Sequence, residues 1–264
     1  MCTDYETLLL ERREQHVLVV TLNRPDRSNA LNTQMGLDLR DVFSNFYVDQ
    51  DDVRCVILTG SGSKAFCAGG DLKDRNEMTT EAWRRQHAVF EQKTEAMLNC
   101  PVPIIAAVNG AAYGGGCELA LSADFIYAAR SARFAQTETK LGIMPGAGGT
   151  QNLPRACGVR RAQEIILAGE PFTAQQAHEW GIVNELCDDH ALLDDTLATA
   201  RRIAANAPIA VQQAKKSINM ATQVDLKTGY AFELEAYQKM VPTEDRLEGV
   251  RAFNEKRQPR FQGR

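Results

Sequence analysis

The chain has 264 residues, of which 44% are hydrophobic and 24% charged, with a formal net charge of −4. That balance is ordinary for a globular enzyme and supplies enough apolar material for a sizeable core. It provides no strong basic field for nucleic acid or an anionic membrane surface, so neither is expected as a partner.

In chain order, the opening Met1–Leu10 carries acids and lacks a basic stretch, a long apolar run and a cleavage site, so it does not read as a secretory or transit leader. Val17–Leu22 (VLVVTL) is a β-branched run stopped by Asn23-Arg24-Pro25-Asp26, which predicts a strand and a turn. Met35, Leu39, Val42, Phe43 and Phe46 recur at helical spacing. Val53–Leu58 is a second buried-type strand. Trp83, His87, Phe90, Thr94 and Met97 mark another helix, ended by Pro101 and Pro103. Ile104–Val108 and Asp124–Ala128 are further strands, and Thr173 with Gln176 fits a capping box. After Asp188 no strand pattern remains. Residues 190–258 read as helices with breaks near Pro208 and Pro242, and Ala231, Leu234, Tyr237, Gln238 and Val241 are spaced for one helical face. Alternating strands and helices followed by helices alone predict an α/β core over 1–190 and a helical region over 191–264.

Seven cysteines without a CxxC spacing read as free thiols of a reducing compartment, and the cytoplasm is the expected location. The four histidines are scattered, with no metal-binding spacing.

Three glycine-rich segments carry chemistry. Lys64–Lys73 (KAFCAGGDLK) follows the second strand. Small residues there let a backbone approach a ligand and leave N–H groups free for an oxyanion, and the segment alone reads equally as a tight surface turn. Asn109–Ala120 (NGAAYGGGCELA) runs from a strand into an apolar helix, whose start offers unpaired N–H groups to negative charge. It matches neither a dinucleotide fingerprint nor a P-loop. Phe134–Gln151 places Glu138 in a loop ahead of Gly146-Ala147-Gly148-Gly149. Taken alone, Glu118 reads as a first-turn acid and Glu138 as a surface carboxylate paired with Lys140. Together, two donor loops and two carboxylates make an oxyanion site with a base and an acid. Cys67 and Cys117 flank the loops with no histidine nearby in sequence, so they read as small core residues, and no GxSxG elbow is present.

LNRP (Leu22–Pro25) with NALN (Asn29–Asn32), AFCAGGDLK (Ala65–Lys73), AAVNGAAYGGGCELALSAD (Ala106–Asp124), ETKLGIMPGAGGTQNLPR (Glu138–Arg155) and Glu255-Lys256-Arg257 occur in this order over nearly the full length. In this the chain resembles the crotonase (enoyl-CoA hydratase/isomerase) family. The resemblance implies a spiral of ββα units, a helical C-terminal region that builds homotrimers or homohexamers, and no metal or redox cofactor, coenzyme A being part of the substrate. It implies an oxyanion hole from the N–H groups of Gly70 and Gly115, with Glu118 and Glu138 as acid–base pair. Arg27, Ser28, Ala30, Ala68, Asp71, Leu72 and Lys73 match stretches lining the CoA cleft, and Phe253 and Lys256 match tail positions near the adenine. The implied activity is hydration of a 2-enoyl-CoA. Isomerisation, or hydration and dehydration of a methylglutaconyl-CoA or carnitinyl-CoA type substrate, are the alternatives, and a non-enzymatic RNA- or CoA-binding role is disfavoured because Arg84-Arg85 and Arg160-Arg161 are short basic pairs in helical patterns.

Overall fold

The computed structural model describes residues 4–264; Cys2 and the start of the N-terminal segment lie outside the described residues. Strand β1 (Leu8–Arg13) runs antiparallel to β2 (Val17–Leu22), and a 3-10 turn over Pro25–Arg27 leads to α1 (Thr33–Val48). Asn32 caps α1 by accepting a hydrogen bond from the Met35 N–H. The chain then repeats one pattern three times. β3 (Cys55–Gly60) is followed by β4 (Ala65–Cys67) and the helices α2 (Leu72–Arg75) and α3 (Thr80–Leu98). β5 (Ile104–Val108) is followed by β6 (Ala111–Tyr113) and α4 (Gly115–Leu121). β7 (Phe125–Ala129) is followed by β8 (Arg133–Ala135), a 3-10 turn over Glu138–Leu141, and α5 (Gly149–Cys157) and α6 (Val159–Ala168). β9 (Phe172–Thr173), α7 (Ala174–Glu179) and β10 (Glu185–Cys187) close the core, and α8 (Leu192–Ala204), α9 (Pro208–Ala221), α10 (Leu226–Gln238) and α11 (Glu244–Asn254) complete the chain.

The first strand of each repeat enters a six-stranded sheet of order β1-β2-β3-β5-β7-β10, and the second enters a four-stranded sheet of order β4-β6-β8-β9. Within each sheet the successive repeats pair in parallel, so each turn of the spiral displaces the chain by one strand. β2, β3 and β5 bury nearly every residue, which a parallel sheet achieves only when both faces are covered. α8 covers part of one face with Leu192, Leu197, Ala200 and Ala204, so the helical region begins with a helix of the core layer.

Pro208 opens α9 and Pro242 lies in the turn between α10 and α11, and the capping box at Thr173 and Gln176 forms with both of its hydrogen bonds. Two sequence expectations shift, and one strand is new. Val241 lies beyond the end of α10, because Val241-Pro242 sits in the turn to α11. Leu8–Arg13 is a strand that its own pattern does not announce, since pairing with β2 supplies the order. The segment around Glu138 is a 3-10 turn rather than open loop. Among the described residues, no helix is long and apolar enough to cross a membrane.

Candidate active site

The spiral places the first two glycine segments side by side. β4 and β6 pair in parallel, so the chain leaves both at the same end of the small sheet. Gly69 turns with φ +93°, and a Cβ there would stand 2.6 Å from the Tyr113 carbonyl oxygen and 3.4 Å from the Gly115 nitrogen. A Cβ on Gly115 would stand 3.8 Å from the Gly70 nitrogen. Only glycine permits this approach. The N–H groups of Gly70 and Gly115 have no acceptor among the described residues, although their neighbours do: Leu31 N–H donates to Gly69 O at 2.7 Å, Asp71 N–H to Leu31 O at 2.9 Å, and Gly114 N–H to Ala135 O at 2.8 Å. Two donors are thus held close together at the start of α4, where the helix dipole favours negative charge.

Glu118 sits in the first turn of α4 and is 3% exposed. Its Oε1 accepts hydrogen bonds from the Ala147 and Gly149 N–H groups, both at 2.8 Å. The third glycine segment is therefore a clamp on this carboxylate, and a Cβ on Gly149 would stand 3.0 Å from Oε1. Glu138 is 7% exposed, and neither carboxylate oxygen has a hydrogen-bond partner among the described residues. Its Oε1 lies 3.1 Å from where a Cβ on Gly114 would stand, which places it beside the same pair of donors. Burial pushes the Glu138 carboxyl up to about 7; its own backbone N–H opposes this and the charge of Glu118 adds to it. Lys140, the surface partner that a bland reading gives Glu138, instead pairs with Glu170 at 2.7 Å.

The stretches matched to the CoA cleft run alongside. Ala68 N–H donates to Ser28 O at 3.0 Å, and Asn29 ties its loop to β4 through a hydrogen bond to Ala65 O at 2.9 Å. Ala30 is buried, whereas Arg27, Ala68, Leu72 and Lys73 are exposed at the rim. Asp71 is buried and committed: Oδ2 pairs with Arg24 at 3.0 Å, and Oδ1 caps α2 by accepting from the Lys73 and Asp74 N–H groups. It holds the loop in shape. Phe253, 83% exposed, and Lys256 lie at the end of α11, and no hydrogen bond joins them to the glycine loops. Cys67 and Cys117 are fully buried, and burial pushes the Cys67 thiol up to about 11 and the Cys117 thiol upward as well, so both are unreactive core residues.

Sequence reasoning did not single out Arg75 or Lys93. Both lie within charged, helical stretches that resemble solvated faces, and only packing reveals that Lys93 is wholly buried and Arg75 half-buried over two aromatic rings.

The profile of the family described as enoyl-CoA hydratase/isomerase matches residues 12–264. YngF of Bacillus subtilis, named for the same hydratase/isomerase family, is 43% identical over 98% of this chain and 99% of its own length. The short-chain-enoyl-CoA hydratase of Clostridium acetobutylicum is 39% identical over 96% of this chain and 97% of its own. The crystal structure of an enoyl-CoA hydratase from Bacillus anthracis superposes with a TM-score of 0.96 at 43% identity, covering 98% of this chain and all of that one. With the two-sheet spiral and its paired donor loops, these matches establish that the chain belongs to the enoyl-CoA hydratase/isomerase (crotonase) family of enzymes.

Proposed function

We propose that this enzyme hydrates 2-enoyl-CoA thioesters, with Glu118 as base and Glu138 as proton donor. The observation that carries this reading is the contrast between two buried carboxylates beside one pair of unpaired N–H groups. Glu118 Oε1 accepts from two backbone N–H groups, whereas burial lifts the Glu138 carboxyl to about 7, so that a proton is available on it near neutral pH.

The thioester oxygen accepts from the Gly70 and Gly115 N–H groups. Glu118 takes a proton from water as its oxygen bonds to Cβ, and the π electrons move onto the thioester oxygen. Losing one such donor costs about 3 kcal/mol of barrier stabilisation. The enolate collapses as Glu138 delivers its proton to Cα. Turnover leaves Glu118 protonated and Glu138 ionised, and one proton exchange restores the starting state. These steps call for no separate cofactor. Arg27, Ser28, Ala30, Ala68, Leu72 and Lys73 line the CoA side, with Asp71 shaping the loop, and Phe253 and Lys256 approach the adenine. The exposed apolar side chains Leu226, Tyr230, Leu234, Tyr237, Val250 and Phe253 on α10 and α11 support assembly into a homotrimer or homohexamer, and the free thiols support a cytoplasmic location.

The test is a panel of 2-enoyl-CoA thioesters of rising chain length assayed for loss of the conjugated enoyl absorbance. Hydration of at least one is expected; none hydrated by folded protein defeats the reading. The unpaired oxygens of Glu138 also suit a one-carboxylate proton shuttle, so the same preparation is assayed on 3-enoyl-CoA, where faster turnover than on any 2-enoyl-CoA would make isomerisation the main activity.

A further inference from the structure

Arg75 is the charged group of this pocket that a simple enoyl thioester leaves unused. It closes α2, five residues after Gly70. Its Nε donates to Gln86 Oε1 at 2.7 Å, and Gln86 Nε2 donates in turn to Thr33 Oγ1 at 3.0 Å. Its Cζ lies 4.3 Å from the centre of the Trp83 ring and 5.5 Å from that of Phe90. Nη1 stands 3.0 Å from where a Cβ on Gly70 would be. A planar cation is therefore fixed from several sides beside one of the two N–H donors.

No carboxylate balances it. Asp71, one turn earlier, is taken by Arg24 and by the start of α2, and Asp74 and Glu77 are exposed. Among the described residues no carboxylate lies within ion-pair distance of Arg75, and Nη1 and Nη2 have no acceptor. Partial burial against the rings penalises the guanidinium charge. The part of the guanidinium that remains open is the fork that binds a carboxylate through two parallel hydrogen bonds.

We propose that Arg75 is a specificity-determining residue that binds a carboxylate on the acyl group, making the preferred substrates 2-enoyl-CoA thioesters of dicarboxylic acids. The proposal rests on the reading that the thioester oxygen lies between Gly70 and Gly115. The phosphates of CoA are separated from its sulfur by the whole pantetheine arm, so a cation adjoining Gly70 meets the acyl end. Trp83 and Phe90 would flank the carbon chain while Arg75 takes its charged terminus.

Glutaryl-CoA and pentanoyl-CoA carry equally long acyl chains that differ only in a terminal carboxylate, and neither has a double bond to hydrate. Calorimetric titration of the intact protein should give glutaryl-CoA a preference of about tenfold or more. Arg75→Leu should remove that preference, and Arg75→Lys should retain part of it, with thermal melting confirming that each variant is folded. No preference in the wild type overturns the proposal. So does a preference that survives in Arg75→Leu, or equal weakening of both ligands by the substitution. If Arg75→Leu does not fold, the Arg75→Lys ratio decides: an unchanged preference over that of the wild type counts against the carboxylate fork. Hydration of glutaconyl-CoA and 2-pentenoyl-CoA is measured in parallel. An Arg75-dependent glutaryl preference in a protein that hydrates neither these nor any other 2-enoyl-CoA of the panel would sink the hydratase reading alone, and hydration without a glutaryl preference would sink the proposal alone.

Discussion

Glu118 and Glu138 flank one donor pair but are held in opposite ways. Glu118 Oε1 receives two N–H groups at 2.8 Å from Ala147 and Gly149, while both oxygens of Glu138 are buried without a hydrogen-bond partner among the described residues. One carboxylate is held by two backbone donors and the other is pushed toward its protonated form by burial, a contrast set by surroundings rather than by residue type.

If Glu138 supplies the proton to Cα, Glu138→Gln lowers crotonyl-CoA hydration by about a hundredfold or more while leaving the fold intact. Steady-state rates alongside circular dichroism check this. Near-wild-type turnover by the folded variant removes Glu138 from the reaction.

The same residue makes a pH-dependent prediction about stability. Burial lifts its carboxyl to about 7 in the folded chain from an ordinary value of 4.5. A raised folded value means that the protonated form fits the native state better. The contribution is fully favourable below about 4.5 and is lost as pH rises through about 7. Glu138→Gln should therefore match the wild type near pH 4.5 and exceed it above pH 7 by about 2 kcal/mol, the full displacement being reduced for solvent at the pocket mouth. Denaturant unfolding at several pH values tests the sign, and equal stability differences at all pH values would contradict it.

Lys93 is 0% exposed, and its Nζ has no hydrogen-bond partner among the described residues. Burial pushes its pKa down, with the charge of Glu118 opposing the shift. A lowered value for a base means that protonation weakens the native state, so this cost grows as pH falls below the ordinary lysine range. Lys93→Met, similar in length and apolar, should stabilise the protein at neutral pH by about 2 kcal/mol. Urea midpoints compared at pH 7 and pH 10 should show the larger gain at pH 7.

Two glycine substitutions separate close packing from mere conformation. A Cβ on Gly116 would stand 2.0 Å from the Cys67 carbonyl oxygen, a backbone atom that cannot move aside. Gly116→Ala should cost on the order of 4 kcal/mol or more and reduce the yield of folded protein. Gly142 has φ +72° but nothing within 4 Å, so Gly142→Ala should cost only about 1 kcal/mol. Comparable losses for both would mean that the α4–β4 approach is looser than described.

Much of the core was legible because its signals are local. Val17–Leu22 and Ile104–Val108 form strands where β-branched and apolar runs announced them, and α1 and α3 follow the helical spacing of their apolar residues. The short strands β4, β6 and β8 were not legible. Three residues are too few for an alternating pattern, and their order comes from pairing across the sheet. Lys93 was hidden for a related reason. Gln92-Lys93-Thr94-Glu95 has the composition of a solvated helical face, and only the packing around α3 puts Lys93 inside.

The sequence by itself determined the three glycine segments, the two glutamates beside them and the alternation of strands and helices, because backbone freedom, residue chemistry and periodicity are written along the chain. Only the tertiary structure decided what each glutamate became. The clamp on Glu118 comes from residues 29 and 31 positions away, and the pocket that desolvates Glu138 is formed by segments brought together by the spiral. Hydrogen-bond partners and local dielectric are properties of what surrounds a side chain in space. They give the two carboxylates different surroundings only once the two sheets have brought the loops together.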